Sequence, residues 1–107
     1  GNLPDGIELT AAENKENIKV NDTIQYTADL KWNAEENGAD KNSAVTWKVY
    51  DAKTGTETDK ATITEQGLLT AVKPGSVVVT ASTANGYEAS KLVSIWQDGK
   101  IIAPEDL

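Results

Sequence analysis

The chain has 107 residues, 17 of them acidic against 10 basic, for a formal charge of −7. All ten basic residues are lysine, and an acidic chain without arginine has neither the field to hold phosphate backbones nor the fork that reads base edges, so nucleic acid is excluded as a partner and anionic membrane surfaces are disfavoured. His and Cys are also missing, which removes disulfides, thiolate ligands and both the Ser-His-Asp and Cys-His catalytic arrangements.

Along the chain, helical periodicity is hard to find, whereas period-two alternation recurs between turn residues. Ile7 to Ala11 reads as a first strand and Ile18 to Val20 as a short second one, ending at the Asn21-Asp22 turn. From Thr23 to Lys31 the even positions Ile24, Tyr26, Ala28 and Leu30 form an apolar face while Gln25, Thr27 and Asp29 point away, the pattern of a half-buried strand. Residues 33 to 43 are polar and rich in turn formers, which predicts a surface loop.

Ala44 to Tyr50 follows as a strand with Val45, Trp47 and Val49 on one face, and Asp51 to Gly55 as a tight reversal. Ala61 to Thr64 and Leu68 to Lys73 are two short strands joined at Glu65-Gln66-Gly67. Pro74-Gly75 has the residues for the two centres of a type II turn, where the second position takes a positive φ. In Ser76 to Ala84, Val77, Val79 and Ala81 share a face, and Asn85-Gly86 is the strongest hairpin dipeptide, leading into Tyr87 to Ile95. Seven to eight such strands at regular spacing predict an all-β sandwich of two sheets.

The runs Val45-Thr46-Trp47, Ala61-Thr62-Ile63 and Gly67 to Ala81 resemble the bacterial immunoglobulin-like domains of group 2, related to the intimin and invasin stalk modules. Ile18 to Ile24 resembles the start of that family's second strand, with Asn21 where a Gly is usual; Asn tolerates positive φ better than most side chains. The resemblance covers about residues 5 to 96, and departs from the family after Trp47, where Lys48-Val49-Tyr50 and a longer excursion to Asp59 replace a serine-rich turn. It implies an immunoglobulin-like Greek-key sandwich over residues 1–96, with 97–107 a C-terminal hairpin strand or a linker to a following domain. It further implies Trp47 as the inter-sheet tryptophan, Ile63, Leu69, Val77 and Val79 as core, and Gly67 and Gly75 as turns. The implied biology is a non-catalytic module of an exported or cell-surface bacterial protein, packed against neighbouring domains of the same polypeptide, that spaces, displays or adheres.

The chain has no methionine, even at position 1, which predicts a mature or excised piece of a longer product. No run approaches 18 apolar residues, so no helical span and no direct membrane insertion are expected. Neither a cofactor nor a metal is called for. The acidic groups Asp51, Glu57 and Asp59, and Glu35, Glu36 and Asp40, carry the oxygen ligands that calcium favours but lack the spacing of an EF-hand loop, and read as solvated charge. Asn21-Asp22-Thr23 fits a glycosylation sequon and reads first as a turn. Ligand contact, to carbohydrate or to a host surface protein, would fall to the aromatics outside the core, Trp32, Tyr50, Tyr87 and Trp96, because sugar faces stack on such rings.

Overall fold

The computed structural model describes residues 3–33 and 41–99. It is all-β: eight strands, β1 (Gly6–Ala11), β2 (Asn17–Lys19), β3 (Thr23–Lys31), β4 (Val45–Asp51), β5 (Ala61–Ile63), β6 (Leu68–Ala71), β7 (Gly75–Thr83) and β8 (Glu88–Trp96), with one 3-10 turn at Ala12–Asn14. One sheet has the order β1-β3-β6-β5 and the other β2-β8-β7-β4. That is the immunoglobulin strand order, with the first strand split so that its second half, β2, joins the opposite sheet parallel to β8. Apart from the excursion of β2 to the opposite sheet and back, the chain crosses between sheets after β3, β4 and β6, as a Greek key requires.

The core sits where the alternation predicts. Ile24 and Tyr26 from β3, Leu69 and Ala71 from β6, Val77, Val79 and Ala81 from β7, and Val93 and Ile95 from β8 are all buried between the sheets. Each fully buried aliphatic contributes roughly 1.5–3 kcal/mol, and β7, with inward residues at every second position, supplies the spine. Ile63 is only half-buried, and so is Trp47, on a β4 strand with no fully buried residue. The central ring of the core is instead Tyr26, 2% exposed and tilted against Trp47 at a centroid distance of 6.5 Å. Trp47 seats on Gly67, whose φ of +82° strains most side chains and where a Cβ would lie 2.8 Å from the Trp47 Cζ2.

Two turns differ from the sequence expectation. Gly75 has φ 138°, far from the value near +80° at the second centre of a type II turn, and it already belongs to β7, paired with Ile95. The segment from β6 to β7 must change sheets, which a tight turn between adjacent strands cannot do, and β6 accordingly ends at Ala71. At the β7–β8 hairpin the loop is Ala84-Asn85-Gly86: the Gly86 amide donates to the Thr83 carbonyl and Gly86 takes φ 96°. This is a three-residue loop with glycine in the left-handed position, not the two-residue form. Asn21 does take the positive φ, 80°, that its place in the turn demands.

β1 and β8 define two poles. β1 begins beside Lys31, where the Asn85 side chain donates to the Pro4 carbonyl and ties the β7–β8 hairpin to the start of the chain. β8 ends at the other pole, where the Val20 amide donates to the Trp96 carbonyl and the Asn21 amide to that of Ala71. With nine residues in β8 at about 3.3 Å each, the poles are roughly 30 Å apart.

Candidate functional site

The four aromatics named from the sequence do not assemble into one platform. Trp32 follows β3 at the first pole, half-buried, with the Lys41 Nζ 5.0 Å from its ring centroid. Tyr87, 45% exposed, closes the β7–β8 hairpin at the same pole. Trp96, 40% exposed, lies at the other end of β8 on the outer face of its sheet, because Val93 and Ile95 take the inner one. Tyr50 sits half-buried on β4 opposite Val78, and its backbone bridges to Glu57. A single flat sugar-stacking face would need these rings on one surface, and Tyr87 and Trp96 are a strand length apart.

Between β4 and β5, however, the sandwich is open. Two adjoining hollows of about 450 and 230 Å³ share Ile63. The first is floored by Trp47 and Val45 and rimmed by Thr64, Glu65 and Gln66. The second is lined by Tyr50, Val49, Lys48, Glu57 and Thr58. The cleft exists because β5 is only three residues long and leaves the half-buried side of Trp47 uncovered. A third hollow of about 470 Å³ lies where β2 stops short and leaves the edge of β8 at Lys91 and Leu92 unpaired. Leu92 there is 59% exposed, and Lys91 flanks it, a charge of the kind that guards an open sheet edge.

Two of the acidic side chains named from the sequence, Asp51 and Asp59, are held by lysines. The Asp51 carboxylate accepts from the Lys53 and Thr54 amides through one oxygen and from the Lys60 Nζ, at 2.5 Å, through the other. Lys60, followed by the backbone donors, holds the Asp51 carboxyl below the usual carboxylate range. Asp59 is lowered likewise by Lys73, 2.5 Å away. Among the described residues no three His, Cys, Asp or Glu side chains converge as a metal site would need, and Glu35, Glu36 and Asp40 lie outside the described residues. The C-terminal hairpin or linker expected at 97–107 is described only to Gly99, where Asp98-Gly99 forms a turn.

One cluster had no sequence signal. The parallel β2–β8 register sets Lys19 opposite Trp96, with the Lys19 Nζ 5.7 Å from the Trp96 ring centroid and ion-paired to Asp98. Asp98, by hydrogen bond and charge, raises the Lys19 pKa above its ordinary value. A parallel pairing of residues nearly eighty positions apart leaves no local pattern to read.

Comparison with known proteins adds one relationship. No family model matches the chain. A lacto-N-biosidase of Bifidobacterium bifidum is 34% identical over 87 residues, which is 81% of this chain and 7% of the relative. The chain is thus similar to a small part of a much longer protein. Among the described residues no helix is long and apolar enough to cross a membrane.

Proposed function

We propose that this chain is a non-catalytic immunoglobulin-like module, of the bacterial group 2 type, in an exported or cell-surface protein, where it acts as a spacer or display unit between neighbouring domains. The observation that carries this reading is the separation of the poles: β1 starts at one end of the sandwich and β8 finishes at the other, so the fold is threaded in series. A module threaded in that way adds its own length to the distance between whatever precedes and follows it. Similarity to a small part of a large glycosidase fits a unit appended to other domains. The absence of His and Cys from the whole sequence fits a non-catalytic role, since the common nucleophile and base pairs need them. The test is to delete residues 3–99 from the parent protein and measure both its hydrolytic or adhesive activity and its end-to-end dimension by small-angle scattering. A spacer shortens the particle by roughly the 30 Å pole separation while chemistry at a distant site persists; loss of all catalytic turnover with the fold of the rest intact would place chemistry in this chain.

A second reading, an accessory module that binds carbohydrate or a host protein, is favoured by the cleft at Trp47 and Tyr50 together with the glycosidase relative. Its test is a glycan array with the Trp47→Ala and Tyr50→Ala variants: retention lost in both supports the cleft, and no retention by the unaltered chain removes carbohydrate as the ligand.

A further inference from the structure

β4 ends the sheet of order β2-β8-β7-β4, and among the described residues no strand pairs with its outer side between Val45 and Val49. The backbone groups there face outward. The Ala52 amide donates back to the Ser76 carbonyl in β7, whereas the Asp51 amide donates the other way, to the Thr56 carbonyl. Because hydrogen-bonding direction alternates along an antiparallel strand, Val45, Trp47 and Val49 share the direction of Asp51 and turn their amides and carbonyls away from β7. The excursion after β4 already uses this edge, through the bridge of Glu57 to Tyr50, and stops short of the rest. The other open edge of the sheet is built differently. On β8, beyond the reach of β2, Lys91 alternates with the core residues Val93 and Ile95, so a charge stands on the inward face where an added strand needs apolar neighbours. On β4 the matching row is Val45, Trp47 and Val49, half-buried and without charge, with Ile63 across the cleft.

Charge sets the kind of strand that fits. Glu57 and Glu65 line opposite ends of the cleft, Glu57 beside Tyr50 and Glu65 beside Val45 and Thr46, and among the described residues no lysine ion-pairs with either. Lys48, which also lines the second hollow, alternates with the inward row and belongs to the outer face of β4. We propose that the β4 edge accepts one extended polypeptide segment of a partner protein, which adds as a further strand, lays an apolar side chain over Trp47 and Ile63, and sets a basic residue at each end against Glu57 and Glu65. This rests on the second reading, that the cleft is a binding site, and commits it to a polypeptide. The free groups form a row of amides and carbonyls that a strand matches and a sugar ring does not. The edge from Val45 to Val49 is about 16 Å long at about 3.3 Å per residue, so the two basic residues stand roughly four positions apart, on one face of the added strand.

The experiment is an NMR titration of the full chain with short synthetic peptides. One is centred on Lys-Thr-Ile-Thr-Lys, one has Glu in place of both Lys, and two are N-methylated forms of the first, each methylated on a different alternate set of residues. The lysine peptide is expected to shift the backbone amides of Val45, Trp47 and Val49 and to bind several-fold more tightly than the glutamate peptide. Only one of the two methylated forms should bind, because a strand meets its neighbour with alternate amides. Glu57→Gln and Glu65→Gln should each reduce the preference for lysine, and Val45→Lys, which copies the β8 guard onto β4, should abolish binding. The methylated peptides, used on the unaltered chain, keep the test independent of whether that last variant folds. No binding of the lysine peptide, equal binding of both methylated forms, or equal affinity for the lysine and glutamate peptides would overturn the proposal. A glycan retained through Trp47 with no peptide bound would end the strand acceptor and leave the second reading in place as a carbohydrate site, whereas a cleft that takes neither would end both.

Discussion

Tyr26 fills the centre of the core, yet its hydroxyl is buried and has no hydrogen-bond partner among the described residues. An unpartnered buried hydroxyl forfeits its water contacts, a cost of about 1–3 kcal/mol. Replacing it in Tyr26→Phe leaves the ring, its packing on Trp47 and the β3 backbone in place, so the variant should gain about 1 kcal/mol at neutral pH. Burial also pushes the Tyr26 phenol from 10.0 up to about 12. A raised folded value means that its contribution is fully present below pH 10 and is lost as pH rises from 10 toward 12, because the unfolded chain ionises first. The shift corresponds to about 2–3 kcal/mol at the alkaline end. Urea unfolding at pH 7 and at intervals from 9 to 12, followed by tryptophan fluorescence, reads both effects. The midpoint should rise at pH 7 with an unchanged slope, and the wild type should lose more stability than the variant above pH 10. A Tyr26→Phe variant less stable at neutral pH, or an alkaline loss identical in the two proteins, would show that the hydroxyl is satisfied and the reasoning wrong.

Gly67→Ala should be among the most damaging single changes. The left-handed φ costs about 1–2 kcal/mol with a side chain present, and the new methyl would also meet the Trp47 ring and the Tyr26 carbonyl, so tryptophan emission should shift red along with a lowered melting temperature. Leu69→Ala, at a position with no exposure, should cost about 2–5 kcal/mol in urea unfolding. Asp51 and Asp59 have folded pKa values below their ordinary range, so their stabilisation is present above about pH 4 and lost as pH falls through the folded values. Asp51→Asn should therefore flatten the acid side of the stability profile, and a profile as steep as the wild type's would remove the Lys60 pair from the account.

Most of the architecture was legible because period-two alternation and the turn residues agree. β3 falls at Thr23 to Lys31 as read, and the inward row of β7 is Val77, Val79 and Ala81. The resemblance implied Trp47 as the buried ring, but alternation cannot say how deep a face lies, and the short β5 leaves that ring half open while Tyr26 takes the centre. Pro74-Gly75 misled because turn propensity is local, whereas the backbone there is set by the need to reach the opposite sheet. The Lys19, Trp96 and Asp98 cluster was out of reach for a related reason: it depends on a parallel register fixed by the whole fold.

The account depends on the chain being threaded from pole to pole. Spin labels on Asp5→Cys, exposed beside the start of β1, and on Gln97→Cys, half-buried just past the end of β8, measure that directly by pulsed electron resonance. A single narrow distance near 30 Å or above is the expected result. A main population at about half that value, with the two ends side by side, would contradict the sheet order and the spacer role together.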